Sequence, residues 1–78
     1  MATIILIDWR EGLEKVSLTK LQNELLEITL FESKKNVDKL LEGETVRIEM
    51  IEMKKAVLFI EKAKIIGAIC EIEGIENN

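Results

Sequence analysis

The side chains of this chain that could do chemistry are carboxylates, lysines and a single thiol. There is no histidine, so the commonest general base and metal ligand is missing. Cys70 has no second cysteine with which to form a disulfide or a metal pair, and no phosphate-binding loop or nucleophile elbow occurs. The acidic residues show no pairing that a solvated surface does not explain. We therefore expect a non-catalytic protein that needs neither cofactor nor metal.

Lysines are the second group of interest. Lys20, Lys34 and Lys35 could form a basic patch for an acidic protein partner, or they could be ordinary solubilising residues on exposed helix faces. The net charge of −4 gives no overall field for holding nucleic acid. No apolar run approaches the ~20 residues needed to span a bilayer. A protein partner is therefore expected, with neither nucleic acid nor a membrane.

Three aliphatic residues, Val57, Leu58 and Ile65, lie roughly opposite the core face of a predicted helix, where charged residues are usual. They predict an interface, and a homodimer is its simplest form because a two-fold contact needs only one self-complementary patch. The alternative is that this helix is sandwiched inside the domain, or that its facing is rotated by a residue or two.

Cys70 and Trp9 each have two interpretations. Cys70 could be a redox switch, but its inward position in a strand favours a small buried hydrophobe. Trp9 could anchor a partner or cover the edge of the core. If Ile5, Ile7 and Ile69 share the outer face of a sheet, Trp9 extends that apolar strip into a second candidate interface.

The elements that position these side chains follow from hydrophobic spacing. A β-branched run over Thr3–Ile7 predicts a strand that ends near Trp9. The apolar spacing from Leu18 predicts a first helix with Ser17 as its N-cap, ending near Glu27.

A second helix is predicted from Thr29, which can cap it with Glu32 as the capping-box partner, to a stop at Gly43. Its predicted buried residues are Leu30, Ser33, Val37, Leu40 and Leu41. A second strand over Thr45–Met50 is predicted to turn Val46, Ile48 and Met50 inward.

The third helix begins near Glu52 and presents an inner face of Ala56, Phe59, Ala63 and Ile66. Gly67 ends it in the left-handed conformation. A closing strand follows, with Ala68, Cys70 and Ile72 inward, and Glu73–Asn78 is a polar, frayed tail.

The predicted order is therefore β-α-α-β-α-β. We expect an α+β two-layer sandwich in which three helices cover one face of a three-stranded sheet, with residues 1–78 forming a single domain. A single cysteine suits a reducing compartment, so a cytoplasmic location is expected.

This order and three motifs resemble the C-terminal domain of the bacterial ribosomal large-subunit stalk protein. The family's Gly-x-x-Lys-Val-x-hydrophobic-x-Lys segment corresponds here to Gly12, Lys15, Val16, Leu18 and Lys20. Its Leu-x-Glu-Ala-Lys segment corresponds to Leu30, Glu32, Ser33 and Lys34. Its spacing from an alanine to a Gly-Ala pair is reproduced by Ala56, Gly67 and Ala68. The resemblance covers residues 4–72 and implies a module that contacts translation factors or the ribosome through Lys15, Lys20, Glu32 and Lys34.

Departures from the family bear on that expectation. The family's Gly-x-Gly turn between the first two helices is Glu27-Ile28-Thr29 here, and a basic position is Asn23. The charged positions of the family's last helix are Val57, Leu58, Ile60 and Ile65. The family's N-terminal dimerisation domain and hinge have no counterpart in these residues, so we do not expect the chain to anchor itself to the ribosome.

A related fold belongs to the adaptor that hands N-end-rule substrates to a bacterial protease. That adaptor uses an Asn-Asp pair and a histidine, whereas this chain offers only Asp8 and has no histidine. The favoured function is therefore a stalk-like interaction module. The alternative is a small acidic regulator or inhibitor that binds an unrelated protein.

Overall fold

A computed structural model describes residues 1–74 of the chain. The elements run in the order β1 (Ala2–Trp9), α1 (Lys15–Leu26), α2 (Leu30–Leu41), β2 (Val46–Ile51), α3 (Met53–Ile65) and β3 (Ala68–Gly74). The strands form one antiparallel sheet in the order β2-β1-β3. Helices α2 and α3 contact the sheet, and α1 packs between them. The predicted α+β order and architecture are confirmed.

The core lies between the central strand and the helices. Ala2, Ile4 and Leu6 of β1 are fully buried, as are Phe59 and Ala63 of α3. The predicted inner face of α3 is therefore correct, although Ile66 at its end is only partly buried. Among residues 1–74, no helix is long and apolar enough to cross a membrane.

The loop that follows β1 closes the end of α3. The Arg10 amide donates to the Gly67 carbonyl at 2.8 Å, and the Glu14 amide donates to the Ile66 carbonyl at 3.0 Å. The Arg10 guanidinium donates to the Lys64 carbonyl. Carbonyls at a helix end have no partner within the helix, so this loop supplies what the helix lacks.

Gly67 makes this closure possible. Its φ of +106° confirms the predicted left-handed stop, and a Cβ at this position would lie 3.0 Å from the Leu13 Cα. The glycine is therefore required both by its own backbone conformation and by the close approach of the loop.

The N-cap predicted at Ser17 is wrong. Helix α1 begins at Lys15 with Glu14 as its N-cap, and the Ser17 hydroxyl instead donates to Glu14 Oε1 at 3.2 Å. The physical reason is that Glu14 is fixed against the end of α3, so the chain turns into the helix directly after it. The predicted cap of α2 is confirmed, because the Glu32 amide donates to Thr29 Oγ1 at 3.1 Å.

Strand β2 does not turn Met50 inward, so that prediction is also wrong. Ile48 pairs with Ile4, but Ala2 pairs with Ile51, which leaves one extra residue in β2. Met50 takes up this bulge with a φ of +65° and is 70% exposed. Ile51 occupies the inward place instead.

A second irregularity separates Trp9 from the apolar row on the outer face of the sheet. Leu6 pairs with Cys70 but Asp8 pairs with Ile69, so Trp9 comes opposite Ala68. Ala68 is buried on the face that the helices cover, so Trp9, as its partner, belongs to that face as well. The prediction that Trp9 extends the outer strip of Ile5, Ile7 and Ile69 is therefore wrong.

The first two residues of the predicted polar tail are not frayed, so that part of the prediction is wrong. Glu73 pairs with Thr3 and Gly74 pairs with Ala2, so both residues belong to β3. The remainder of the predicted tail, residues 75–78, lies outside the described residues.

Candidate protein-interaction site

Helices α1 and α2 are held together by a buried glutamine. Gln22 is fully buried, and its amide nitrogen donates to the Ser33 carbonyl at 3.1 Å and to the Leu18 carbonyl at 3.2 Å. Its oxygen accepts from Asn36 at 2.9 Å. A buried amide with its donors and its acceptor paired fixes one arrangement of the two helices.

The turn between these helices contains a residue in the left-handed conformation that is not a glycine. Glu27 has a φ of 59°, and Asn23 donates to the Ile28 carbonyl at 2.8 Å. The Glu27 carboxylate pairs with Lys55 of α3. The hydrogen bond from Lys55 and its positive charge lower the pKa of Glu27, and the same hydrogen bond with the negative charge of Glu27 raises the pKa of Lys55.

The outer surface of this helix pair carries a groove, which we call the α1–α2 groove. Its basic residues are Lys15, Lys20 and Lys34, and its aliphatic residues include Val16, Leu30 and Leu41. Val16 and Leu30 are 68% and 56% exposed, so the predicted burial of Leu30 is wrong. Leu30 opens α2 at its first residue and lines this groove. Leu41, also predicted as buried, is partly exposed here.

Three of the four residues predicted to contact a partner meet in this groove. Glu32 does not line it, because it lies in the first turn of α2 beside the Thr29 cap. Lys35 also lies outside, with its ammonium 5.5 Å from the centre of the Phe31 ring. Lys34 is 3.6 Å from Asp38 in an exposed pair that contributes little to stability.

Val16 was the apolar member of the site that sequence reasoning missed. In the sequence, Val16 is one position of the segment that resembles the stalk family. It precedes Leu18, the first core residue of α1, and nothing in the hydrophobic spacing indicates that it is exposed. Its exposure shows that the groove offers apolar contact as well as charge.

A second groove, which we call the α1–α3 groove, runs along the other side of α1. Lys20, Leu21 and Glu24 line it from α1, and Lys62 and Ile65 line it from α3. Ile65 is 81% exposed, the largest exposed fraction among the large hydrophobic residues described.

The three residues predicted as an oligomer interface are all exposed, but they do not form one patch. Val57 and Leu58 are 41% and 42% exposed. Leu58 and Ile65 are two turns apart on one line of α3, with Glu61 between them, whereas Val57 lies about 80° round the helix from Ile65. The predicted homodimer interface therefore stays a prediction.

Charge is segregated between the helices and the rest of the molecule. All nine lysines lie in the three helices with only four acidic residues, which gives the helices a charge of +5. The other described residues hold two arginines and ten acidic residues, a charge of −8. The lysines are therefore confined to the helices, while four of the remaining acidic residues, Glu14, Glu27, Glu42 and Glu52, cap the helix ends.

The sheet carries part of the negative charge. Arg47 of β2 reaches across β1 to Glu73 of β3 at 2.8 Å, and Glu49 lies 3.8 Å from the same guanidinium. The hydrogen bond to Glu73 raises the pKa of Arg47. Glu71 and Glu49 remain exposed beside this pair.

The thiol is not placed for chemistry. Cys70 is partly buried, and burial raises its pKa to about 11, so it is protonated at neutral pH. Within residues 1–74, no three His, Cys, Asp or Glu side chains are grouped so that they could hold a metal ion.

Comparison with models of known protein families and with curated proteins gave no match. The resemblance to the ribosomal stalk protein therefore remains an interpretation of the residues themselves.

Proposed function

We propose that this chain is a non-catalytic interaction module that binds an acidic, partly apolar surface of another protein in the α1–α2 groove. The observation that carries the proposal is the meeting of Lys15, Lys20 and Lys34 around the exposed aliphatic residues Val16 and Leu30. Lysines beside exposed aliphatic side chains combine electrostatic orientation with burial of apolar surface, which is typical of protein docking sites.

The resemblance suggests which class of partner to test first. Lys15, Lys20 and Lys34 stand at the positions that meet translation factors in the stalk family, so a translational GTPase is the proposed partner. Asn23 replaces a basic residue of that surface and instead hydrogen-bonds the turn. The contact in this chain therefore relies on fewer charges.

The test is binding of the purified chain to a translational GTPase, measured by calorimetry. We expect the Lys20→Glu, Lys34→Glu double variant to bind about tenfold more weakly or worse, because two attractive charges become repulsive. The Lys39→Glu, Lys54→Glu double variant is the matched control, since both are exposed helix lysines outside the groove. A wild-type chain that does not bind at about 100 μM would refute this function.

The acidic side of the molecule favours a second candidate, a small regulator that binds a basic surface through Glu49 and Glu71. This candidate makes the opposite prediction for the effect of the substitutions on partner binding. Binding would be lost in Glu49→Lys, Glu71→Lys and unaffected by the two lysine substitutions in the α1–α2 groove.

A further inference from the structure

We propose that the α1–α3 groove is the second half of the same docking surface, so that the partner straddles α1 with two adjacent acidic helices, one in each groove. This inference rests on the proposed function in taking the same partner, and it extends the contact to α3, where the resemblance implies none.

Lys20 joins the two grooves. It lies on α1, the helix that packs between α2 and α3, and its side chain lines both grooves. A segment bound in either groove therefore meets the ammonium of Lys20. Two segments bound together would share it between two carboxylates.

The grooves also offer the same chemistry. In the α1–α3 groove, Lys62 corresponds to Lys34, and the exposed Ile65 corresponds to the exposed Leu30. Among residues 1–74, one acidic residue lines each groove, Glu24 in the α1–α3 groove and Asp38 in the α1–α2 groove. Both grooves therefore carry a net positive charge beside an exposed aliphatic side chain, and both suit an acidic, amphipathic segment.

The spacing of the grooves indicates a pair of helices. Packed helices lie about 8–10 Å apart, so two grooves on either side of one helix are separated by about the same distance. Two neighbouring helices of a partner have this spacing as well. We therefore infer that such a pair places one helix in each groove, with α1 between them.

This arrangement gives Ile65 a role different from that of Leu58. Ile65 lines the α1–α3 groove, whereas Leu58 lies two turns earlier on the same line of α3 and outside it. The structure thus assigns Ile65 to the partner surface, and the two residues become separable by mutation.

The test uses calorimetry with a purified translational GTPase bound to a non-hydrolysable GTP analogue. Lys62→Glu with Ile65→Ser changes only the α1–α3 groove, and Lys34→Glu changes only the α1–α2 groove. Leu58→Ser and Lys39→Glu are matched controls, which remove an exposed aliphatic side chain and a lysine outside both grooves. Circular dichroism confirms that each variant is folded, as the exposure of the substituted residues leads us to expect.

We expect both groove variants to bind about tenfold more weakly and both controls to stay within about twofold of the wild type. Weaker binding by Lys34→Glu alone would overturn this inference and leave the proposed function standing. A wild-type chain that does not bind overturns both. Light scattering provides a further check, because a wild-type dimer that Ile65→Ser makes monomeric would assign Ile65 to self-association and overturn the inference.

Discussion

At the scale of single residues, residues 1–74 include two non-glycine residues in the left-handed conformation, Glu27 and Met50. Such a conformation costs about 1–2 kcal/mol for a residue with a Cβ. For Glu27, the ion pair with Lys55 offsets part of this cost. Met50 lies at the bulge of β2 and is 70% exposed, so packing offsets little of its strain.

Replacing Met50 with glycine should therefore stabilise the protein. We expect Met50→Gly to raise the free energy of unfolding by about 0.5–1 kcal/mol in urea titrations, because glycine accepts a positive φ without steric cost. Met50→Ala is the control, since it removes the same exposed side chain but keeps the Cβ. A gain in the alanine variant as large as in the glycine variant would contradict the strain explanation.

Cys70 makes stability depend on pH in the alkaline range. Its pKa is raised by burial from an ordinary value of 9.0 to about 11 in the folded chain. Between these two values the folded state keeps a proton that the unfolded chain releases. The free energy that the buried thiol contributes to folding is therefore fully present below about pH 9 and is lost as pH rises through about 11.

The measurement is urea unfolding from pH 8 to about pH 11, compared with Cys70→Ala. We expect the wild type to lose stability with rising pH more steeply than the variant, which shares all the lysines but lacks the thiol. Parallel pH profiles would show that the thiol does not titrate differently in the two states.

At the scale of elements, the junction of the β1–α1 loop with the end of α3 combines backbone hydrogen bonds with a close approach at Gly67. Gly67 combines a positive φ with a contact to the Leu13 backbone, whereas Gly43 has a φ of +90° and open space around it. The two glycines therefore differ in packing but not in backbone conformation.

Alanine substitutions separate these two effects. We expect Gly43→Ala to cost about 1 kcal/mol from backbone strain alone, and Gly67→Ala to cost at least about 2 kcal/mol because the loop must also move. Thermal unfolding of both variants measures the difference. Equal losses would mean that the loop accommodates a methyl group freely.

Elements with strong periodicity were predictable from the sequence, and the positions set by contacts between elements were not. The core face of α3 followed from the spacing of Ala56, Phe59 and Ala63. The bulge at Met50 arises from pairing with β1, so the regular alternation within β2 could not reveal it. The start of α1 is fixed by the contact of Glu14 with Ile66, which overrides the capping preference of Ser17.

The candidate site was only partly predictable for the same reason. Lys15, Lys20 and Lys34 were singled out by resemblance, and the structure brings them together. The exposed floor was not foreseen, because Leu30 shares its spacing with the buried Ser33 and Val37 and was placed with them.

At the scale of the whole molecule, the distribution of charge matters more than its sum. A charge of −4 suggests a uniformly acidic protein, yet the helices carry +5 while the other described residues carry −8. The exposed lysines of the helices attract an acidic partner, whereas four of the other acidic residues, Glu14, Glu27, Glu42 and Glu52, cap the helix ends. The attraction is therefore local to the lysine-lined helix faces.

The hydrogen bonds of Arg10 and Glu14 to the end of α3 have a consequence for how the molecule opens. They join a loop near the start of the chain to the turn that leads into its last strand. Amide hydrogens of both segments should then exchange with solvent in one shared opening event. We expect these hydrogen bonds to limit partial unfolding at this junction, so that the start of α1 stays joined to the end of α3 in the free protein.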